Sequence, residues 1–330
     1  MNGNQKLLVV CGPTATGKTS LGIRLAKQFN GEIVSADSRQ VYVGMDIGTG
    51  KDLPANAKLK IKNGQILKPY RFDEIPVWML DVVTPAQEFS VADYVNLAWK
   101  VISDIWKRKK LPIVVGGTGF YIKGVVNGIE TLGVPPDWEL RKKLKYEDIK
   151  ILSEKLKKLD VERWNRMNES DRRNPRRLIR AIEIAQSRGL YHCTRTIVQK
   201  REVLFVGLTT SYRVLYQRID KRVEERIKMG VEDEIKKLLG MGYSFDNSVL
   251  GTTIGYKEWK DYIEHKTLNP EEEKEKIIQR WKYNEHNYAR RQMTWFRRDS
   301  RIHWYDITKR DYKEEIELLV KQWYNPNVSE

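Results

Sequence analysis

Eight residues near the start of the chain restrict its possibilities most: Gly12-Pro-Thr-Ala-Thr-Gly17-Lys18-Thr19. A Gly-x4-Gly-Lys-Thr spacing marks a phosphate-binding loop, provided that a strand precedes it and a helix follows. Both flanks fit. Lys6-Leu-Leu-Val-Val-Cys11 is an uninterrupted apolar run of the buried parallel-strand type, and Ser20 to Phe29 places Leu21, Leu25 and Phe29 on one helical face. The glycines let backbone N–H groups turn inward around phosphate oxygens, and the helix adds the positive end of its dipole. Lys18 adds a mobile charge, and the Thr19 hydroxyl can ligate Mg2+. Gly12, Pro13, Thr14, Ala15, Thr16, Gly17, Lys18 and Thr19 are therefore the candidate ligands of a diphosphate or nucleotide, with Thr19 the candidate metal ligand.

Further strands are expected at Glu32–Ser35, Val77–Asp81 and Pro112–Val115, with an amphipathic helix over about 91–107. Strands alternating with helices, each strand closing on a polar or glycine turn, predict a doubly wound α/β core with a parallel sheet. From Glu139 to Arg201 the pattern is helical, with 19 Lys/Arg against 9 Asp/Glu. An apolar run at Val203–Gly207 then returns to strand character. The expected organisation is a catalytic core of 1–128 and 202–330, C-terminally helical, with a helical insertion at 129–201. Helices are expected over 214–229, 231–239 and about 270–298. Residues 52–70 read as a surface excursion or hairpin.

The chain carries 60 Lys/Arg and 44 Asp/Glu, a net charge of +16, which favours an anionic partner such as nucleic acid. Two cysteines, Cys11 and Cys193, exclude a disulfide framework or a cysteine-rich zinc site and suit a reducing cytoplasm. No apolar stretch reaches the length of a membrane span, and the five apolar residues after Lys6 are too few for a secretory signal.

Asp37, in Ser35-Ala-Asp-Ser-Arg-Gln40, follows the second strand and so falls at the carboxyl edge of the sheet beside the phosphate loop. A carboxylate there suits proton abstraction from an incoming nucleophile. It equally suits capping of the next helix through its side chain. Gly116-Gly-Thr118-Gly119 occupies the same edge after another strand, as a tight turn or as a close approach to substrate. Arg173, Arg176, Arg177 and Arg180 crowd two helical turns, which predicts an anion to neutralise them or a solvated face. Arg222 and Arg226, at i and i+4, can reach a diphosphate or pair with local acids. Trp281 to Arg298 interleaves aromatics with arginines, suited to stacking on unpaired bases, although Trp295 and Phe296 suit a core as well.

Together these segments resemble the bacterial tRNA dimethylallyltransferases, also called tRNA isopentenyltransferases. The resemblance spans nearly the whole chain. It rests on Gly12–Thr19, Ser35–Gln40 with Tyr42, Gly44-Met-Asp-Ile-Gly-Thr49 with Lys51, and Val115-Gly-Gly-Thr-Gly-Phe-Tyr121. It continues in Asn174-Pro-Arg-Arg-Leu-Ile-Arg-Ala-Ile-Glu183, Gly255-Tyr256 and Arg290-Arg-Gln-Met-Thr-Trp-Phe296. The resemblance implies transfer of a dimethylallyl group from dimethylallyl diphosphate to N6 of the adenine 3′ of the tRNA anticodon, that base being flipped out of its stack. It implies Asp37 as proton acceptor, Thr118 assisting it, and Arg226 with Lys18, Thr19 and Mg2+ stabilising the leaving diphosphate. Asp37, Ser38, Arg39, Gln40, Thr118, Arg141, Arg176, Arg177, Leu178, Ile179 and Arg180 match the family's contacts to the anticodon stem-loop. A cytoplasmic monomer is expected. Ile75-Pro-Val-Trp-Met-Leu-Asp81 departs from the family, which has a histidine-containing segment there. Prenyl transfer to free adenine nucleotides is the rival reading, as is a P-loop NTPase or kinase using Asp81 for Mg2+.

Overall fold

The computed structural model describes residues 5–53, 68–129, 131, 133–187, 201–265 and 269–325. Most of the 52–70 excursion and Cys193 lie outside them. The chain divides into two compact units, Met1–Val126 with Lys200–Glu330, and Asn127–Gln199.

In the first unit the chain runs β1 (Lys6–Cys11), α1 (Lys18–Gln28), β2 (Gly31–Ser35), β3 (Tyr70–Phe72), β4 (Ile75–Trp78), α2 (Val91–Lys107), β5 (Leu111–Gly116) and α3 (Gly119–Asn127). The second unit follows with α4 (Trp138–Leu144), α5 (Ile149–Leu159), α6 (Val161–Arg166), α7 (Glu169–Arg172) and α8 (Pro175–Gln186). The first unit resumes with β6 (Glu202–Thr209), α9 (Tyr212–Lys228), α10 (Val231–Gly240), α11 (Lys260–Glu264), α12 (Pro270–Phe296), β7 (Ile302–Asp306) and α13 (Tyr312–Tyr324).

The sheet has seven strands in the order β3-β4-β2-β5-β1-β6-β7, and only the β3–β4 pair is antiparallel. Covered on both faces, β1, β2 and β5 are buried along nearly their whole length, which is why they read as apolar runs. The third expected strand stops earlier than its apolar pattern suggests. Met79 and Asp81 take left-handed φ values of 68° and 52°, so β4 ends at Trp78.

The second unit has its own apolar core, in which Leu144, Leu152 and Leu156 meet Leu178 and Ile182. Local chemistry explains its punctuation into five short helices. Asp137, Asp148, Asp160, Asn168 and Asn174 each cap one helix by accepting a backbone N–H, and Pro175 opens α8 where no donor is needed.

Candidate active site

Because β5 lies between β1 and β2, the turns that leave these three parallel strands emerge side by side at one sheet edge. They carry the phosphate loop, the Asp37 turn and Thr118. Gly12, at φ 135°, is packed so closely that a Cβ would overlap the carbonyl oxygen of Leu208 on β6. Only glycine fits there. Gly17 precedes α1 with no side-chain cap, leaving the first N–H groups of the helix to the loop.

Lys18 donates to the Pro13 carbonyl at 2.6 Å and pairs with no carboxylate among the described residues. Burial pushes its ammonium down to about 8; Arg222 adds to that shift, and Asp37 opposes it. Burial also lowers Arg222, with Arg226 contributing. Arg222 lies 3.5 Å from the Thr14 hydroxyl, and among the described residues it forms an ion pair only with the exposed Asp52, at 3.8 Å. A buried ammonium lowered further by a neighbouring guanidinium, beside a glycine-rich loop, makes an anion site. Cys11, directly before the loop, is inert by contrast: burial pushes its thiol up to about 12.

The Asp37 turn is tied to the Thr118 turn. Thr118 Oγ1 accepts the Ser38 N–H at 3.0 Å, and the Thr118 N–H donates to the Ala36 carbonyl at 3.1 Å. Asp37 Oδ1 accepts from the N–H groups of Arg39 and Gln40, at 2.8 and 3.4 Å. No helix follows for it to cap: the side chain closes the turn of residues 38–41 instead, and Oδ2 keeps its capacity to accept. Gln40 spends its amide on the carbonyls of Thr49 and Gly50, at 3.4 and 3.0 Å.

Three participants escape a reading of motifs alone. Gln292 of α12 accepts the Thr14 N–H at 2.8 Å and donates to the Gly117 carbonyl at 3.0 Å, joining the phosphate loop to the Thr118 turn. Tyr288, one helical turn earlier, hydrogen-bonds Thr118; burial and then the Asp37 charge push its phenol up. Arg218, whose guanidinium lies beside Gly17, extends the Arg222–Arg226 spacing one turn back along α9. That i, i+4, i+8 repeat was the available signal.

Several of the expected residues have partners of their own in the fold. Arg226 is buried and bonds Glu285 at 3.1 Å and the Gly48 carbonyl at 3.3 Å. Arg222 therefore holds the place nearer the loop. Asp81 is fully buried, one oxygen on Lys51 and the other on the Tyr70 hydroxyl. Both oxygens being engaged, it does not serve as a second-strand Mg2+ ligand, which removes the main support for the NTPase reading. Leu178 and Ile179 are core residues, so their side chains do not face a solvent-borne RNA.

The arginine cluster of the second unit is also better matched by acids than its density suggests. Glu183, almost wholly buried, accepts from Arg141 at 2.9 Å and from Arg180 at 2.9 Å; Arg180 also reaches the carbonyls of Thr131 and Val134. Arg177 pairs with Asp171, and Arg173 with Glu169. Arg176 is exposed, with no ion pair among the described residues.

The fold and site define a P-loop α/β protein whose anion cradle faces a carboxylate–hydroxyl cluster rather than a second-strand metal ligand. The family model described as IPP transferase matches residues 40–299, and that described as Isopentenyl transferase matches residues 5–67. The chain belongs to the IPP transferase family. It is 39% identical to the tRNA dimethylallyltransferase of Halothermothrix orenii, over 97% of this chain and 94% of that one. Among solved structures it resembles the tRNA isopentenylpyrophosphate transferase of Bacillus halodurans, at 33% identity and a TM-score of 0.67, with 98% and 97% of the two chains covered. A eukaryotic dimethylallyltransferase captured acting on tRNA aligns at 25% identity and a TM-score of 0.78, covering 98% of this chain and 80% of that one.

Proposed function

We propose that the chain transfers a dimethylallyl group from dimethylallyl diphosphate to N6 of the adenine 3′ of the anticodon in tRNA. The observation that carries this reading is the pairing of an anion cradle, Lys18 with Arg222, with the Asp37–Thr118 cluster one turn away on the same sheet edge. Family membership supports the same reaction.

The adenine N6 lone pair attacks C1 of the allylic chain while the C1–O bond breaks. The bonding electrons leave with the diphosphate, and the N6 proton passes to Asp37. Two backbone N–H groups fix Asp37 Oδ1, which leaves Oδ2 as the accepting atom. Thr118 orients the turn that carries this carboxylate. Charge grows on the departing diphosphate, where Lys18, Arg222 and the N–H groups opening α1 stabilise it. Mg2+ fits this site as an ion bound chiefly by the diphosphate: Thr19 is exposed at the start of α1, and the described residues hold no cluster of acidic, histidine or cysteine ligands. Thr19 would hold it, and the ion would neutralise leaving-group charge.

The second unit is the proposed clasp for the anticodon stem-loop, with Arg176 its free phosphate contact. No described helix is long and apolar enough to cross a membrane.

Labelled dimethylallyl diphosphate incubated with tRNA, or with free adenine nucleotides, tests the reaction. Label on tRNA adenine is expected; label on nucleotides alone would replace tRNA as the acceptor. Asp37→Ala is expected to lower the single-turnover rate at least ~100-fold while tRNA binding persists. An unchanged rate removes Asp37 from proton transfer.

A further inference from the structure

α12 ends in aromatics with opposite fates. Trp281 and Phe296 are buried, at 0% and 3% exposure, whereas Trp295 is 39% exposed. Trp295 meets Phe120, itself 44% exposed, edge to face, with ring centroids 6.2 Å apart. The indole lies directly on the backbone of Gly119, where any Cβ would overlap it. Gly119 is the residue after Thr118, so this exposed pair adjoins the proposed reaction centre. Two arginines follow Trp295 at once. Arg297 and Arg298 are exposed and make no ion pair among the described residues.

An aromatic pair of this size left open to water, followed by arginines with no ion pair and packed on the residue after Thr118, calls for a partner with a flat apolar face and a negative backbone. A single-stranded nucleotide has both. Withdrawing a target adenine from its stack also strips one face from each of its neighbours, and a protein ring can replace the lost partner.

We propose that Trp295 and Phe120 form a stacking platform for the nucleotide adjoining the target adenine, with Arg297 and Arg298 against its phosphates. This rests on the tRNA prenyltransferase reading above.

The test combines protein and RNA truncations. Prenyl transfer to an anticodon stem-loop RNA is followed for the unmutated chain, Trp295→Ala and Trp295→Phe, with intact RNA and with RNA made abasic at each neighbour of the target in turn. Trp295→Ala is expected to raise KM for the RNA about 5- to 100-fold, as loss of one base–aromatic stack does. KM for dimethylallyl diphosphate and kcat should stay within about threefold, and Trp295→Phe should restore most of the RNA affinity, as a ring of similar stacking capacity. At one of the two neighbours, the abasic RNA should cost the unmutated chain a similar factor and cost Trp295→Ala little more. Independent, multiplying losses at both neighbours would overturn the platform, as would an effect confined to KM for the prenyl donor, which would make these rings a wall of the prenyl pocket. If the unmutated chain prenylates no RNA, the underlying reading fails instead, and that control separates the two failures.

Discussion

The arginines of α8 and those of α9 are equally crowded along the chain, yet they are held differently. In the second unit, Glu183 sits buried between Arg141 and Arg180, so two of the charges that make this segment look like an RNA-binding strip are part of its internal structure. Along α9, Arg226 is likewise neutralised, by Glu285, but the Arg222 charge lowers the proton affinity of nearby Lys18, and among the described residues neither cation makes an ion pair with a buried carboxylate. Dense arginine is therefore weak evidence of a binding surface until its acids are located. The informative cations are those that no buried carboxylate neutralises among the described residues, such as Lys18, Arg222 and Arg176.

The sharpest way to break this contrast is Glu183→Gln. It strands two guanidiniums beside a neutral amide, and loss of one member of a buried ion pair costs about 3–5 kcal/mol. Chemical denaturation should register that loss; a change below about 1 kcal/mol would mean that Glu183 does not organise its unit. Arg222→Ala comes next. It should raise KM for dimethylallyl diphosphate about 10- to 100-fold, the scale of a charge-assisted hydrogen bond, without changing tRNA affinity. An equal effect of Arg226→Ala on KM, with stability unchanged, would restore Arg226 to the diphosphate.

A smaller effect is expected for Arg176→Ala: tRNA binding weakens a few-fold and the slope of log affinity against log salt falls by about one unit or less. Arg180→Ala should instead show mainly in thermal unfolding. Identical salt slopes for the two variants would erase the distinction between them.

The smallest expected effect concerns acid. Burial alone would raise the carboxyls of Glu32 and Glu183, but Arg108, Lys110 and Trp78 hold Glu32 down at about 2, and Arg141 with Arg180 hold Glu183 below its ordinary range. Carboxylates depressed in the folded state contribute their stability above the ordinary glutamate value near 4.5 and lose it as the pH falls toward the folded value. Melting temperature should therefore decline between about pH 4.5 and 2, and Glu32→Gln should flatten that decline.

Much of this was legible in the sequence because local chemistry decided it. β1, β2 and β5 are apolar runs, α1, α2, α9, α10 and α12 have clear periodicity, and the phosphate loop carries its own spacing. The edge strands were harder. β3 is three residues long, and β7 alternates Ile302 with His303 and Trp304 in a half-buried pattern that suits a loop equally well. At the site, the Asp37 and Thr118 turns were visible as motifs. The bond between them was not, since it depends on β5 lying next to β2. Gln292 and Tyr288 reach the site from a helix that begins about 150 residues beyond Gly117, and although Gln292 lies in a recognised motif, nothing local shows that either side chain bonds the Gly117–Thr118 turn.

The register of β1 has a consequence for how the protein is made. β6 pairs with β1 from Lys6↔Glu202 onward, so the strand that carries the phosphate loop must wait for a neighbour synthesised roughly 200 residues later. The second unit, by contrast, is one continuous stretch with a core of its own. At about 5–20 residues per second it leaves the ribosome over several seconds, before β6 exists. The unit proposed to grip RNA can thus take shape first, while β1, one edge still open, has yet to gain the strand whose Leu208 packs against Gly12 of the loop.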